Sequence, residues 1–515
     1  MKKLLLVCLP LIGTMAFAQK AEDLTKFGAL ITAQGLKEKL TVIASAEMEG
    51  RETASPGQKR AAAYIEAQFK KMGLKPGNGD SYQQVYPVYQ DALTAKKLSV
   101  NGKVYEWDKE YSFTLQSIGN GFFSYSNTVF AGYGIVDSAN KINDYENLDV
   151  KGKIVLVLEG SATASPAPTA GGGRGMNMSP SSSFAKSRAA MAKGAAGLLV
   201  VSADFPRKTA TAVKGGMYLR KNDATPFLMA TISTEIATAL TGRTKSMTMA
   251  DLKGLKKGAY VAELSISATK TTDNLESSNV VALLPGTDKK DEYLFVTGHY
   301  DHLGKRGDVI YYGADDDGSG TVSVMQMAEA YAAAAKKGKG PRRSIVFMTV
   351  SGEEKGLWGS EYYSEHPIYP IEKTTADLNI DMVGRVDTER KTADTLNYVY
   401  VIGHDKLSTD LPIINEAANK MSSNITLDYK FDDPNDRNRI YYRSDHYNFA
   451  KKGIPILFFY DGMLLADYHQ PSDTIEKINF ELMQKRVSMI FYTSWEIANR
   501  DAMLKRDLKL NMPGR

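Results

Sequence analysis

Three consecutive aspartates, Asp315, Asp316 and Asp317, stand between glycines in the stretch YGADDDGSG (312–320). Like charges packed this closely repel, and a simple turn needs no more than one Asp and a Gly. The triplet therefore points to a positive partner. One of the three can also cap the helix that follows, in which Val324, Met327, Ala328 and Tyr331 recur at helical spacing. Other ligand-type residues end apolar runs. His299 and Asp301 follow YLFVTG, Glu353 and Glu354 follow SIVFMTVSG, Asp381 follows DLNI, and His469 lies in DYHQPSDT after IPILFFYDG. One His and one carboxylate per metal, with a carboxylate shared between them, is the inventory of a two-zinc site with open positions for water and substrate. The other histidines, His302, His366, His404 and His446, read as surface or pocket residues.

The elements that must position these residues alternate from 279 onward. NVVALLPG, YLFVTGHY, SIVFMTVSGEE, DLNIDMVG, YVYVIGHD and IPILFFYDG read as strands with helical stretches between them. Such alternation predicts an α/β sheet covered on both faces, whose chemistry collects beyond the carboxyl ends of its strands. Nearer the N-terminus, QKRAAAYIEAQFKKMG (58–73) places Ala61, Ala62, Ile65, Phe69 and Met72 on one helical face. Between about 95 and 265 the texture changes to short strands, NTVFAGYGI, GKIVLVLEG, AAGLLVVS and YVAELSISA, which predicts a separate β-rich domain. Within it, SPAPTAGGGRGMNMSPSSS (165–183) reads as a surface loop, and no Gly-Lys-Ser/Thr follows its glycines to make a phosphate loop.

The 515 residues are 43% hydrophobic and 24% charged, ordinary for a globular protein and enough for two or more domains. The opening MKKLLLVCLPLIGTMAFAQK has two lysines, a short apolar run and Ala16-Phe17-Ala18, the pattern of a secretory signal peptide over residues 1–18. It predicts a periplasmic or secreted protein, and no later run approaches the ~20 apolar residues of a membrane span. The single cysteine, Cys8, falls within that leader, so the mature chain would hold any metal by His and carboxylate alone. A formal net charge of +5 is no footprint for nucleic acid. The basic run KKGKGPRR (336–343) suits a helix C-terminus and a solvated loop.

GHYDHLG (298–304), GADDDGSG (313–320), SGEEKGLWGS (351–360), NIDMVGR (379–385) and DYHQPSDT (467–474) resemble, in order, the motifs of the M28 family of zinc-dependent peptidases. The N-terminal EMEGRETASPGQKRAAAYIEAQFKKMGLKP resembles it as well. AGYGI, DYENLDVKGKIVLVLEG and TPFLMATIS are similar to the protease-associated (PA) domain that many members carry. The resemblance implies a zinc exopeptidase-like α/β fold, a mixed sheet sandwiched by helices, formed by residues 19–94 and 266–515. An inserted β-rich PA-like domain would occupy 95–265.

It also implies roles. His299 and Glu354 would hold one Zn2+, Asp381 and His469 the other, and Asp316 would bridge the two Zn2+ ions. Asp315 and Asp317 would face the backbone of the turn and helix start. The Asp301 carboxylate would accept a hydrogen bond from the non-ligating nitrogen of His299. Glu353, beside a ligand, would take a proton from water and deliver it to the leaving amine. Tyr468 would supply a hydroxyl to the developing oxyanion. The implied activity is hydrolysis of peptide substrates as an aminopeptidase, with a carboxypeptidase, a dipeptidase or a glutaminyl cyclase-like acyltransferase as alternatives. A calcium loop fails on spacing: with Gly318 as its sixth residue, Gly313 and Val324 would stand where Asp and Glu are needed. Arg437, Arg439 and Arg443 either clamp a substrate carboxylate or pair with Asp432, Asp433 and Asp436 in a charged loop.

Overall fold

The computed structural model describes residues 22–113, 115–138, 140–162, 179–221, 226–392 and 394–512. The predicted signal peptide and most of the 165–183 loop lie outside the described residues. The chain forms two compact units, one from residues up to Pro87 and from Glu276 on, the other from Val88 to Leu275. The composition had placed these passages at 94–95 and 265–266.

The first unit opens with helices α1 (Ala33–Ile43) and α2 (Pro56–Met72). In α2 the Ser55 side chain accepts from the Gln58 amide, Pro56 supplies the first helical φ, and Gly73 at φ 83° ends the helix in the left-handed region. Its buried stripe is Ala61, Ala62, Ile65, Phe69 and Met72, the helical face visible in the sequence.

The second unit holds a sheet of β1 (Tyr111–Phe113), β2 (Gly121–Phe130), β3 (Ile154–Leu158), β4 (Gly197–Val201), β5 (Leu228–Ile232) and residues 258–268 of the long strand β6 (Gly258–Leu284). Their order is β6-β2-β3-β4-β5-β1, parallel from β2 through β5 and antiparallel at both ends. β3 and β4 are buried along their whole length, which is why they read as unbroken apolar runs rather than alternating ones. Helix α3 (Ser183–Ala192) belongs to this unit.

The first unit resumes with the end of β6, then β7 (Lys289–His299), α4 (Gly320–Lys336), β8 (Arg343–Val350), α5 (Trp358–Glu365), β9 (Thr374–Ile380), β10 (Tyr398–Ile402), α6 (Asp410–Met421), β11 (Thr426–Asp428), β12 (Ile456–Tyr460) and α7 (Phe480–Asn499). The sheet order is β11-β10-β12-β9-β7-β8-β6. β8, β7, β9 and β12 run parallel, whereas β10 and β6 are antiparallel to their inner neighbours. Residues of opposite parity feed two cores. Leu294, Val296, Phe347 and Leu378 pack with α1, α2, α4 and α7, and Phe295, Val346, Met348 and Tyr398 pack with Tyr363 and Phe449 on the other face. The mixed sheet is thus covered on both sides, as the alternation predicts. One expectation fails locally: Arg343, at the end of the basic run, is fully buried rather than solvated. Its guanidinium pairs with Glu292 at 2.7 Å and donates to the carbonyls of Ile497 and Arg500.

Candidate metal centre

His299 is the last residue of β7, Glu353 and Glu354 follow β8, Asp381 follows β9, and His469 lies in the segment after β12. Four neighbouring parallel strands therefore end at one place, and the aspartate triplet, in the turn 314–319 before α4, is carried there too. His299 Nε2 lies 3.3 Å from Asp316 Oδ1 and 3.6 Å from Asp381 Oδ1. His469 Nε2 lies 3.1 Å from Asp316 Oδ2 and 3.1 Å from Glu354 Oε2. The geometry pairs His299 with Asp381 and His469 with Glu354, with Asp316 between the pairs. This corrects the expected partition, in which His299 went with Glu354 and Asp381 with His469. The reason lies in the sheet order: β7 and β9 are adjacent parallel strands, so their ends bring His299 beside Asp381.

Backbone amides fix the triplet. Asp317 accepts from His299 at 3.0 Å, Gly320 at 2.7 Å and Met382 at 3.0 Å. Asp315 Oδ1 accepts from Gly384 at 2.8 Å. The Asp473 carboxylate in turn accepts from the amides of Asp315 and Asp316, all at 3.1 Å. Asp317 is thereby spent on backbone and Asp315 through its Oδ1 alone, its Oδ2 being buried without a hydrogen-bond partner, while the middle one is free to face a cation. Asp317 also comes near His299 and Asp381, but its oxygens already hold three amides. Met382 and His469 both adopt φ 57°, a left-handed conformation that costs a non-glycine residue roughly 1 kcal/mol and is tolerated here beside and at the ligands.

The donor set fits divalent cations. Asp316 Oδ2 and Glu354 Oε1 are buried without a hydrogen bond, which is expensive for a carboxylate unless a positive ion takes the place of water. Imidazole and carboxylate are borderline-hard donors of the kind zinc accepts. His302, expected as a surface or pocket residue, lies beside the set: it is fully buried, and its Nδ1 stands 2.9 Å from Glu354 Oε1, out of line for a hydrogen bond. Its spacing from His299, two residues between them, was the available signal. Another cluster, His404, Asp405 and Asp432, is already occupied by the Lys406 ammonium, 2.6 Å from Asp405 and 3.4 Å from Asp432.

Around the ligands, Ser444 Oγ donates to Asp381 Oδ2 at 2.6 Å and accepts from Asn379 Nδ2 at 2.8 Å. His299 Nδ1 donates to the backbone carbonyl of Asp301 at 3.0 Å, with the Asp301 carboxylate farther off at 3.7 Å. The tautomer is thus set by the carbonyl and not by the carboxylate as expected. The Asp301 carboxylate accepts instead from Thr53 Oγ1 at 2.7 Å and from the Glu353 amide at 3.2 Å, so it anchors the residue proposed to move protons. Arg51, fully buried, donates to the carbonyls of Tyr300 at 2.7 Å and Gly313 at 2.8 Å. It ties the N-terminal GRET stretch to both the β7 end and the triplet. Sequence reasoning matched that stretch to the family without seeing what Arg51 and Thr53 do.

The Glu353 carboxylate is directed at the centre, its Oε2 3.9 Å from His299 Nε2. Burial raises its proton affinity well above the ordinary carboxylate range; His299 opposes this, while the neighbouring Glu354 and Asp381 add to it. A cleft beside it is lined by Met382, Ile440, Arg443, Phe458, Leu464 and Tyr468. Of the three arginines only Arg443 lines it. Asp432 serves His404, Lys406 and the Gly403 amide, and Asp433 and Asp436 accept from backbone amides.

Residues 279–494 match "Peptidase family M28" and residues 126–240 match "PA domain". A "Probable zinc metalloprotease" of Pyrenophora teres f. teres is 26% identical over 266 residues, covering 44% of this chain and 52% of that protein. A "Probable leucine aminopeptidase" of Arthroderma otae is 26% identical over 236 residues, covering 45% of this chain and 60% of that protein. The chain thus spans about half the length of the curated relatives it matches. Among solved structures, an aminopeptidase from Aneurinibacillus sp. strain AM-1 shares the fold at 21% identity and a TM-score of 0.52, covering 95% of this chain and 99% of that one. The five motifs converge on one carboxylate-rich cleft within the segment, residues 279–494, that matches peptidase family M28, and the PA-domain match lies ahead of that segment.

Proposed function

We propose that this protein is a two-zinc aminopeptidase that removes N-terminal residues from peptides in the periplasm or outside the cell. The observation that carries the reading is the position of Asp316, one oxygen toward His299 and the other toward His469, with Asp381 and Glu354 completing the two sides. Five protein ligands around a shared carboxylate are too many for one open tetrahedral ion. Zinc at these positions supplies Lewis acidity toward the scissile carbonyl and lowers the pKa of a water. Glu353, already raised in proton affinity by burial, takes the proton of the attacking water and returns it to the leaving amine as the C–N bond breaks. Tyr468 donates its hydroxyl to the carbonyl oxygen as negative charge develops there. The apolar wall of Met382, Ile440, Phe458 and Leu464 suits an uncharged side chain, and the neighbouring carboxylates attract a free α-amine. The export part of the proposal rests on the leader pattern of residues 1–18; among the described residues no helix is long and apolar enough to cross a membrane.

Three matched peptides test the reading: one free at both ends, one N-acetylated and one C-amidated. An aminopeptidase cleaves the amidated peptide and ignores the acetylated one. The reverse pattern makes the protein a carboxypeptidase and turns Arg443 into a carboxylate clamp. Elemental analysis of the purified protein gives the zinc count, and fractionation of the producing cells locates it.

A further inference from the structure

Tyr468 is held from two sides. Its ring stacks on the His469 imidazole at 3.9 Å between centroids and 20° between planes. Its hydroxyl accepts a hydrogen bond from Arg443 Nη2 at 3.0 Å, and the guanidinium carbon lies 5.7 Å from the ring centroid. Arg443 makes no ion pair with a carboxylate among the described residues, although it shares its cleft with Glu353 and Asp381 as well as with the apolar Ile440 and Leu464. A guanidinium in such a place is costly unless something negative arrives. Glu353, on the same cleft, is the carboxylate whose charge acts on Arg443, and a negative charge developing on a bound carbonyl would meet the Tyr468 hydroxyl that Arg443 holds.

We infer that Arg443 is a positioning residue for catalysis that acts through Tyr468. By donating to the phenol oxygen it fixes the direction of the O–H and makes that hydroxyl a stronger donor, since hydrogen bonds in a chain polarise one another. The gain is realised when the carbonyl oxygen becomes an oxyanion and not when the neutral substrate binds, so it belongs to kcat rather than KM. The inference rests on the proposed reaction, in which Tyr468 faces the reacting carbonyl. A side-chain clamp would need the guanidinium to present free donors to the substrate. Here one of the five guanidinium donors is committed to Tyr468, and a glutamyl substrate tests whether the others serve a substrate carboxylate.

The test uses the zinc-loaded full chain and the variants Arg443→Met, Arg443→Lys, Tyr468→Phe and the double Arg443→Met/Tyr468→Phe, assayed on leucyl and glutamyl anilides with zinc content measured in each. Arg443→Met should lower kcat on the leucyl anilide by about tenfold to a hundredfold, with KM within about threefold of wild type. Arg443→Lys, which keeps the charge without the planar fork, should fall between. In the Tyr468→Phe background the Arg443→Met change should cost less than about threefold, because the group it works through is gone. Additive losses in the double variant would overturn the inference, as would a loss confined to KM for the glutamyl anilide, which would make Arg443 a side-chain clamp. If Arg443→Met fails to fold, the lysine variant alone and paired with Tyr468→Phe decides the coupling. If the wild-type protein binds two zinc ions yet turns over neither anilide, the aminopeptidase reading has failed. The coupling is then read from the affinity for an α-aminoalkyl boronic acid, a tetrahedral mimic: weakening by both variants without additivity supports it, and unchanged binding refutes it.

Discussion

Asp316 and His469 face each other across 3.1 Å, Oδ2 to Nε2, while the other Asp316 oxygen turns to His299. On the proposed two-zinc reading, a side chain so placed would belong to both halves of the centre, whereas His299, Asp381, His469 and Glu354 would belong to one half each. Asp316→Asn should therefore reduce bound zinc by about two equivalents, and His299→Ala or Asp381→Asn by about one. His469→Ala and Glu354→Gln should remove the other. Combining variants within a pair should cost no more metal than either alone, whereas one from each pair should empty the site. Elemental analysis of the variants checks the assignment: loss of both equivalents from the His299→Ala/Asp381→Asn double would dissolve the pairing of His299 with Asp381, and loss of only one from Asp316→Asn would end its bridging role.

Glu353 and Glu354 are adjacent in sequence and opposite in consequence. The Glu354 carboxylate meets His469 at 3.1 Å, and the Glu353 carboxylate comes no nearer than 3.9 Å to His299. Glu353→Gln should keep the full zinc content while kcat falls by about a hundredfold to ten-thousandfold. Loss of zinc in parallel with activity would instead make Glu353 a ligand.

The gathering of His299, Glu353, Glu354 and Asp381 was legible because each follows closely on an apolar run, and runs buried on both faces mark the central strands of a covered sheet. Which ligand meets which was not legible. That depends on β9 lying next to β7 and on the return of the 461–469 segment over the strand ends, neither of which local periodicity encodes. Arg51 and Thr53 escaped for a related reason. They act on backbone carbonyls and on Asp301 from far off in the chain, and an arginine that satisfies carbonyls looks in sequence like any surface arginine. His302 went unread because its one signal, a position three residues beyond His299, does not by itself distinguish a buried member of the cluster from a pocket residue.

Asp317 carries three amides, from His299, Gly320 and Met382, and so couples the end of β7, the start of α4 and the turn after β9. Asn has one acceptor oxygen and would aim its NH2 at an amide already donating. Asp317→Asn should destabilise the metal-free protein by about 2 kcal/mol or more and weaken zinc binding at the His299 side, although Asp317 holds no metal. Thermal unfolding with chelator present, followed by zinc titration, separates the two effects. Unchanged stability would show that these amides find other partners.

The last prediction concerns His446, which lies fully buried two residues beyond Ser444, the residue that steadies Asp381. Its Nε2 donates to the Tyr441 carbonyl at 2.9 Å and its ring stacks on Phe458 at 4.6 Å, an environment for a neutral imidazole. Burial pushes its pKa down to about 3, against a small opposing effect of the Tyr441 carbonyl. The unfolded chain takes up a proton near the ordinary value of 6.5, and the folded chain does not until far lower. Between those values the unfolded state binds more protons, so stability is complete above about pH 6.5 and declines as pH falls toward 3. For this one group the decline from about pH 7 to about pH 5 is ~2 kcal/mol. His446→Phe keeps the stacking and removes the titration. Whatever its stability at neutral pH, its unfolding free energy should fall by about 2 kcal/mol less than that of wild type over the same interval. Urea unfolding of both proteins at the two pH values provides the comparison. Parallel declines would mean that this imidazole takes up its proton in the folded protein as readily as in the unfolded chain.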